Sequence, residues 1–597
     1  MATNIELSDL FAAMATLMEL KGENSFKVIA FSKVSRILRE TGLDLRKCME
    51  EGTLGQIEGI GKSSVAIIED YLRTGKSAAH DEIAADVPAG LPPLLQIEGM
   101  GPKTLHMLWK ERGITSLEQL EAALGGGKLD GLKGIGPKKI ESMRKGIESL
   151  KRRTGADGTV VLRRPLGEVW PAARDLLEQV GRIPGVLQAE IAGSLRRWKE
   201  TIGDVDIVSA IANPAAGAAI AQQFVSLPGV ADVLAKGATK ASIKTAGGLQ
   251  VDLRMVPSVH FGAALMYFTG SKEHNVRVRS LALKQGYTLN EWGLYRLDEY
   301  EKADKKPGQP PDARAVASEN EQDIFRALGL AYVEPELRED RGEVDLAMAG
   351  KLPRLFERAD IRGDLHTHTT ASDGGNSIEE MAEAARAMGY EYLAITDHSK
   401  AMVQANGLSP ERLLKHVAEI HKVGARLKGI ALLAGAEVDI LADGRMDYED
   451  EILAELDIVI ASPHISLRQD PAKATERFLR AIENKYVNVI GHPTGRIING
   501  RDGLAPDFGR LFAAAAASGT AMEINGSWPR LDLDDVHARA AAAAGVTIAI
   551  NTDAHATGEL EQMVYGLGVA RRAGLASGDI LNTRRLGELR NWLSRKR

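Results

Sequence analysis

Hydrophobic periodicity divides the chain into three kinds of sequence. Near the start, Leu7, Leu10, Phe11, Met14, Leu17 and Met18 recur at helical spacing and predict a helix over Ile5–Leu20. Phe26–Leu38 predicts a second amphipathic helix, with Lys27, Lys33 and Arg36 on its polar side. Beyond residue 160 the pattern becomes mixed. Helices are predicted over Pro165–Ile183 and Ala215–Leu227, and the runs Val186–Ala192, Val230–Leu234 and Leu249–Val256 read as a small sheet. From about residue 362, short apolar runs (Tyr392–Ile395, Ile430–Leu433, Ile458–Ala461, Val487–Ile490, Thr547–Ile550) alternate with helical stretches. Strands separated by helices predict a parallel sheet, here closing into a barrel.

A chain of 597 residues exceeds one core and suggests about three to five domains. Its 44% hydrophobic and 26% charged composition is that of soluble globular protein. The single cysteine, Cys48, excludes an intramolecular disulfide and fits a reducing compartment. Glu6 and Asp9 interrupt the first apolar residues, so no signal peptide is expected, and no apolar run reaches the ~18 residues of a membrane span. The expectation is a cytoplasmic monomer. A net charge of −6 does not suggest a nucleic-acid binder, but the cations are clustered. Gly131–Pro165 holds ten Lys or Arg against three acids and reads as part of a DNA track.

A short motif occurs three times, each time ahead of a predicted helix. Ile57-Glu58-Gly59-Ile60-Gly61-Lys62 comes first, Ile97-Glu98-Gly99-Met100-Gly101-Pro102-Lys103 second, and Leu132-Lys133-Gly134-Ile135-Gly136-Pro137-Lys138 third. Gly-x-Gly permits a tight turn, and its second glycine lets a phosphate approach the N–H groups of the next helix start. Lys62, Lys103 and Lys138 add charge there. The motif resembles the helix-hairpin-helix, which grips the DNA backbone without reading sequence.

The most informative stretch is Gly193–Asp206, GSLRRWKETIGDVD. Asp204 and Asp206 share one face of a predicted strand, where two carboxylates repel unless a cation lies between them. Such a pair suits Mg²⁺. Gly193 and Ser194 offer backbone N–H groups and a hydroxyl to a phosphate, and Arg196 and Arg197 offer forked donors. GS-x-RR followed by GDVD is similar to the active-site motif of the family X DNA polymerases. Asp252, inside the apolar run LQVDLRMV, matches the third carboxylate of that family, and Tyr267-Phe268-Thr269-Gly270-Ser271 matches its turn beside the incoming nucleotide. The resemblance implies that Asp204, Asp206 and Asp252 hold two Mg²⁺ ions and that Ser194 and Arg197 bind the triphosphate. Gly193, Gly203, Tyr267, Phe268 and Gly270 would then lie against the nucleotide, with Asn275 and Arg279 at the base and template. Two positions depart from the family pattern. Trp198 stands where glycine is usual, and Ile67 replaces the Schiff-base lysine, which argues against a deoxyribose-phosphate lyase activity.

After residue 362 the chemistry changes to imidazole. His366, His368, Asp373, His398, Glu437, His464, His492, Asp553 and His555 nearly all follow apolar runs, as ligands at strand C-terminal ends of a barrel would. Histidine and carboxylate suit Mn²⁺, Zn²⁺ or Fe²⁺ better than Mg²⁺. The pattern resembles the PHP (polymerase and histidinol phosphatase) family. It implies a trinuclear centre with His366, His368, Glu437 and Asp553 on one metal, Glu437 bridging to a second on His464 and His492, and Asp373, His398 and His555 on the third.

The expected architecture is therefore multidomain. It comprises a helical helix-hairpin-helix region (residues 1–90 and 91–160), an α+β nucleotidyltransferase-type palm (161–260) and a nucleotide-side subdomain (261–338). A linker (339–361) and a distorted (β/α)7 PHP barrel (362–597) complete it. Ser318–Glu336 resembles the closing helix and final turn of the polymerase family. The function read from this is a DNA-directed polymerase that fills short gaps in repair, with a metal-dependent 3′-5′ exonuclease and an abasic-site endonuclease in the barrel. Its partners would be gapped or nicked double-stranded DNA and deoxynucleoside triphosphates. The rivals are a template-independent nucleotidyltransferase, a non-catalytic scaffold on nicked DNA, and a barrel that acts as a phosphatase.

Overall fold

The structure, a computed structural model, describes residues 2–596 apart from 42, 44, 96, 98, 99, 126, 127, 130, 131, 133, 134, 137, 138, 141, 142, 145, 146, 148–162 and 307. Gly99, Gly134 and Lys138 of the repeated motif, and most of the basic stretch 131–165, lie outside the described residues. The chain forms two compact units, residues 1–162 with 505–509, and residues 163–504 with 510–597.

The first unit is helical. Helix Ala2–Lys21 contributes to two cores: Leu7, Phe11 and Met14 meet Val34, Leu38, Ile68 and Leu72, while Leu17 and Leu20 meet Leu91, Leu105, Leu108 and Leu120. The predicted second helix runs Ser25–Glu40, its first turn capped by the Asn24 side chain accepting from Phe26 N. No helix among the described residues is long and apolar enough to cross a membrane.

The second unit begins with helix Leu166–Gly181 and a five-stranded sheet: β1 (Val186–Ile191), β2 (Asp204–Ile211), β3 (Val230–Lys236), β4 (Lys240–Thr245) and β5 (Gln250–Pro257). The order is β1-β2-β5-β4-β3, with β2 and β5 parallel and all other neighbours antiparallel. Strand alternation sends Val205, Ile207, Val251 and Leu253 into the core and leaves Asp204 and Asp206 on the other face. Strand β4 is one that periodicity does not announce, because KASIKT carries only one large apolar residue, Ile243. Helices Phe261–Thr269, Lys272–Lys284 and Glu321–Ala327 share a further core with Leu294, Val333 and Leu337. The stretch expected as a linker is packed into that core. Helix Glu343–Met348 buries Val344 and Ala347 there, and Glu343 accepts from the buried His274 Nδ1–H at 2.7 Å. Its charges look solvated in sequence because their partners are distant in the chain.

The C-terminal part is a nearly closed parallel barrel of seven strands: β6 (Gly363–Asp364), β7 (Tyr392–Ile395), β8 (Ala431–Asp439), β9 (Ile458–Ser462), β10 (Val489–Ile490), β11 (Ala521–Asn525) and β12 (Ile548–Asn551). They are hydrogen-bonded in chain order, and a parallel bridge from Thr367 to Ala554 brings the two ends together. Leu365, Ala394, Leu433, Ile460, Val489 and Ala549 form the inner cluster, and the C-terminal helix Leu586–Leu593 packs Leu589 and Trp592 against it.

Candidate active sites

Register builds the first site. Strand β2 pairs with β5 so that Asp206 stands directly beside Asp252, with Asp204 two residues earlier on the same face. Burial, then the neighbouring Asp204 and Asp252 carboxylates, push Asp206 up to about 7. Asp204 is raised by burial and by Asp252. Burial acts the same way on Asp252, but hydrogen bonding from Lys240 outweighs it and holds Asp252 below its ordinary value, with Lys240 Nζ at 2.7 Å from Oδ2. Three crowded carboxylates, whose burial and mutual repulsion raise Asp206 and Asp204, form an all-oxygen donor set that fits divalent Mg²⁺. Gly193 presses on this cluster. A Cβ on it would lie 2.5 Å from Asp206 Oδ2.

Gly193 and Ser194 open the short helix Gly193–Arg196, next to the carboxylates. Arg197 donates from Nε to Glu339 at 3.0 Å and from Nη1 to Thr269 O. Arg196 forks onto Glu321 at 2.9 and 2.7 Å. Both guanidiniums are thus oriented by acids far along the chain. Gly203 is exposed, just before Asp204. Gly270 lies against Arg197, where a Cβ would come 3.2 Å from Nη1. Tyr267 and Phe268 stack edge to face at 5.1 Å, and the Arg254 guanidinium sits 4.7 Å from the Phe268 ring centre. Tyr267, Asn275 and Arg279 line one pocket with Met266, Leu289 and Asn290. Asn275 donates from Nδ2 to Tyr267 O at 2.8 Å. The structure therefore brings Arg197, predicted to bind the triphosphate, and the predicted base-side residues Tyr267 and Asn275 to the same C-terminal half of helix Phe261–Thr269.

In the first unit, the three repeats share one backbone pattern. The residue between the glycines donates to the residue three before it (Ile60 to Ile57, Met100 to Ile97, Ile135 to Leu132). The second glycine accepts from the residue four after it (Val65 to Gly61, Leu105 to Gly101, Ile140 to Gly136). Gly61 and Gly101 cap helices Lys62–Thr74 and Pro102–Arg112 with no side-chain hydrogen bond, so the first-turn N–H groups face outward as an anion would need. Lys62 and Lys103 are exposed beside them. Gly59 packs on the second helix, its Cβ position 2.5 Å from Ile37 Cδ1.

At the barrel mouth the nine predicted residues converge. Three groups each bring ligand atoms within 4.8 Å of one another: His366, His368, Glu437 and Asp553; His368, Asp373, His398 and His555; and His398, Glu437 and His464. His492 Nε2 lies 2.9 Å from Glu437 Oε1. Glu437 is fully buried, which alone would raise it, yet His464, His366 and His398 hold it well below the usual carboxylate range. In return Glu437 and Asp373 override burial and lift His398 to about 10, and Glu437 with Asp439 lifts His464 to about 9. Burial and then His398 press His368 down to about 4. His366 Nε2 is buried without a hydrogen-bond partner and faces Glu437 and Asp553 at 3.4 and 3.6 Å, as a ring nitrogen reserved for a metal would. This donor set fits Mn²⁺, Zn²⁺ or Fe²⁺. His492 and Asp553 adopt positive φ, +24° and +57°, and such backbone strain clusters at functional sites.

Sequence reasoning passed over the residues that orient these ligands. Glu523 on β11 is fully buried and accepts from His366 Nδ1–H at 2.8 Å, His492 N at 2.7 Å and Asn551 Nδ2 at 2.8 Å. That contact fixes the His366 tautomer so that Nε2 faces Glu437 and Asp553. Asp439 does the same for His464, at 3.2 Å. Asp397 gathers Thr369, Ser372 and His416, steadying the loop that carries Asp373. An acid within an apolar run was the available signal, as it was for Asp252, and Ala-Met-Glu-Ile-Asn at 521–525 carried it.

Comparison with known proteins follows this division. Residues 2–77 match a helix-hairpin-helix domain, 91–149 a SAM-like helix-hairpin-helix tandem, 264–339 the DNA polymerase beta thumb and 364–527 the PHP domain. The DNA polymerase/3′-5′ exonuclease PolX of Bacillus subtilis (strain 168) is 37% identical over 588 residues, 98% of either chain. A probable phosphatase of Thermoanaerobacter sp. (strain X514) is 32% identical over 245 residues, 39% of this chain and 95% of its own length. A probable phosphatase of Syntrophotalea carbinolica is 29% identical over 229 residues, 37% and 90% respectively.

Proposed function

We infer that this chain, which belongs to the DNA polymerase/3′-5′ exonuclease PolX family, extends primer 3′ ends in short gaps of damaged DNA and shortens 3′ ends at the mouth of its barrel. The single observation that carries the first activity is the register of Asp206 beside Asp252 with Asp204 on the same face. Divalent cations, Mg²⁺ in the palm and Mn²⁺, Zn²⁺ or Fe²⁺ in the barrel, would offset phosphate charge and make the attacking oxygen more acidic. Asp204, Asp206 and Asp252 would hold the palm cations. The Gly193–Ser194 turn and Arg197 receive the triphosphate, while Gly203, Phe268 and Gly270 shape its surroundings. Tyr267, Asn275 and Arg279 receive the base side in their shared pocket. The turns at Gly59–Lys62, Gly99–Lys103 and Gly134–Lys138 grip gapped or nicked duplex by its backbone, a contact that favours no sequence.

In the barrel, His366, His368, Asp373, His398, Glu437, His464, His492, Asp553 and His555 would hold the metals. Glu523, Asp439 and Asp397 keep the ligand side chains aimed. The same centre would nick abasic sites. A phosphatase reading of the barrel draws support from the two probable phosphatases that align with it, but the fusion to DNA-gripping turns favours DNA ends.

Labelled gapped DNA, incubated with and without nucleotides in Mg²⁺ or Mn²⁺, tests both halves. Asp206→Ala should abolish extension with DNA binding largely intact, and His366→Ala should abolish 3′ shortening with extension intact. Full extension by Asp206→Ala would overturn the polymerase assignment. Release of phosphate from small phosphomonoesters without any 3′ shortening would replace the exonuclease assignment with the phosphatase.

A further inference from the structure

The turn that carries Ser194 and Arg197 is held from behind by the barrel. Trp198, next in the chain, has φ +55°, a backbone conformation that bulky residues rarely adopt. Its indole lies against Trp170 of the palm, ring centres 4.5 Å apart, and against Gly568 in barrel helix Met563–Ala573. A Cβ on Gly568 would come 2.7 Å from the indole, so only glycine admits the ring there. Tyr565 of the same helix adds an edge contact at 6.5 Å.

One turn along that helix, the buried Arg572 donates to the backbone oxygen of Arg197 at 2.6 Å and to Glu339 Oε1 at 3.0 Å. The same Glu339 oxygen accepts from Arg197 Nε at 3.0 Å, and Lys199 Nζ lies 3.4 Å from the other. Arg572 also reaches Asp535 at 2.9 Å, which accepts from Arg341 at 2.8 Å. Three cations (Arg197, Lys199, Arg572) therefore crowd the one carboxylate of Glu339. Had Arg197 faced Glu339 alone, its charge would be neutralised by a private partner. With the carboxylate divided, positive charge is left in excess directly behind the turn.

We propose that Arg572 and Trp198 are positioning residues for nucleotide addition, through which the barrel fixes the Gly193–Arg197 turn and holds the Arg197 guanidinium in place for a nucleoside triphosphate. The proposal rests on reading that turn as the triphosphate site. It makes the barrel a structural part of the polymerase, separately from its own hydrolytic centre. It also accounts for a tryptophan in a left-handed position, because packing of the half-buried indole between Trp170 and Gly568 offsets the backbone cost.

The test uses the full chain carrying Trp198→Gly, Arg572→Ala or Arg572→Lys. Glycine accepts φ +55° without strain, so Trp198→Gly keeps the test decisive even where Arg572→Ala, which empties a buried site, fails to fold. Single-nucleotide addition is measured on gapped DNA over a range of nucleotide concentrations in Mg²⁺. DNA affinity and Mn²⁺-dependent 3′ shortening are measured on the same preparations. Expected are a KM for nucleotide raised at least fivefold in Trp198→Gly and about tenfold in Arg572→Ala, partial recovery in Arg572→Lys, and kcat, DNA affinity and 3′ shortening within twofold of wild type. An unchanged nucleotide KM in Trp198→Gly overturns the proposal. So does a parallel loss of both activities with a lowered melting temperature, which would mark simple destabilisation. Arg197→Ala is the control. If its nucleotide KM is unaltered, the reading of the turn itself has failed, and the proposal falls with it.

Discussion

Gly193→Ala is the sharpest perturbation available at the polymerase site. Gly193 has φ +63°, and a Cβ built there would lie 2.5 Å from Asp206 Oδ2, 3.4 Å from its Cγ and 3.5 Å from its Cβ. Ordinary contact begins near 3.4 Å, so the carboxylate must retreat by about 0.9 Å. An L side chain in the left-handed region costs about 1–2 kcal/mol. Against the roughly 5–15 kcal/mol that stabilises a domain, the variant remains folded. The effect falls on the chemistry. A misplacement of about 1 Å costs on the order of 10²-fold in rate, close to 2.7 kcal/mol of barrier. The assay is a single-turnover addition of one nucleotide to gapped DNA in Mg²⁺, with a melting curve and Mn²⁺-dependent 3′ shortening as internal controls. Expected are a rate reduced about 100-fold, a small melting shift and unchanged shortening. Extension within threefold of wild type would refute the argument that this glycine exists to admit the Asp206 carboxylate.

Other predictions concern metal, support and DNA grip. Asp206 is raised to about 7, so below that pH it holds a proton that an incoming cation must displace. The Mg²⁺ concentration for half-maximal extension should be flat above pH ~8 and rise up to about tenfold per unit below pH ~6.5; a flat curve from pH 6 to 8 contradicts the assignment. Glu523→Gln keeps the shape but weakens the hold on His366, and should cost about 10–100-fold in metal affinity or 3′ shortening while extension in Mg²⁺ persists. Undiminished metal content and shortening would show that His366 needs no such support. Lys62→Ala and Lys103→Ala should weaken binding equally on all sequences and flatten the log–log salt dependence by about 0.9 for each lost phosphate contact; an unaltered slope removes these turns from the interface. Ile67 is half-buried against the N-terminal core and carries no amine, so borohydride trapping on an incised abasic site should be weak or absent.

Much of this protein is legible in its sequence because the signals are local. A strand period of two puts Asp204 and Asp206 on one face before any tertiary contact is known. The three Gly-x-Gly turns reproduce one hydrogen-bond pattern because a few backbone positions fix it. Histidines at the ends of apolar runs mark a barrel mouth, since parallel strands place their C-terminal ends together. Tertiary structure alone decided how distant pieces meet. Nothing in KASIKT announces the strand that brings Lys240 to Asp252. Glu523 finds His366 from 157 residues away, and Arg572 finds the Arg197 carbonyl from 375. The charged stretch 339–361 has no period of its own, yet Glu339 becomes the carboxylate that Arg197 and Arg572 share. Periodicity encodes which face of an element is buried. It does not encode which element will lie against that face, and a buried charge takes its role from the partner that packing brings to it.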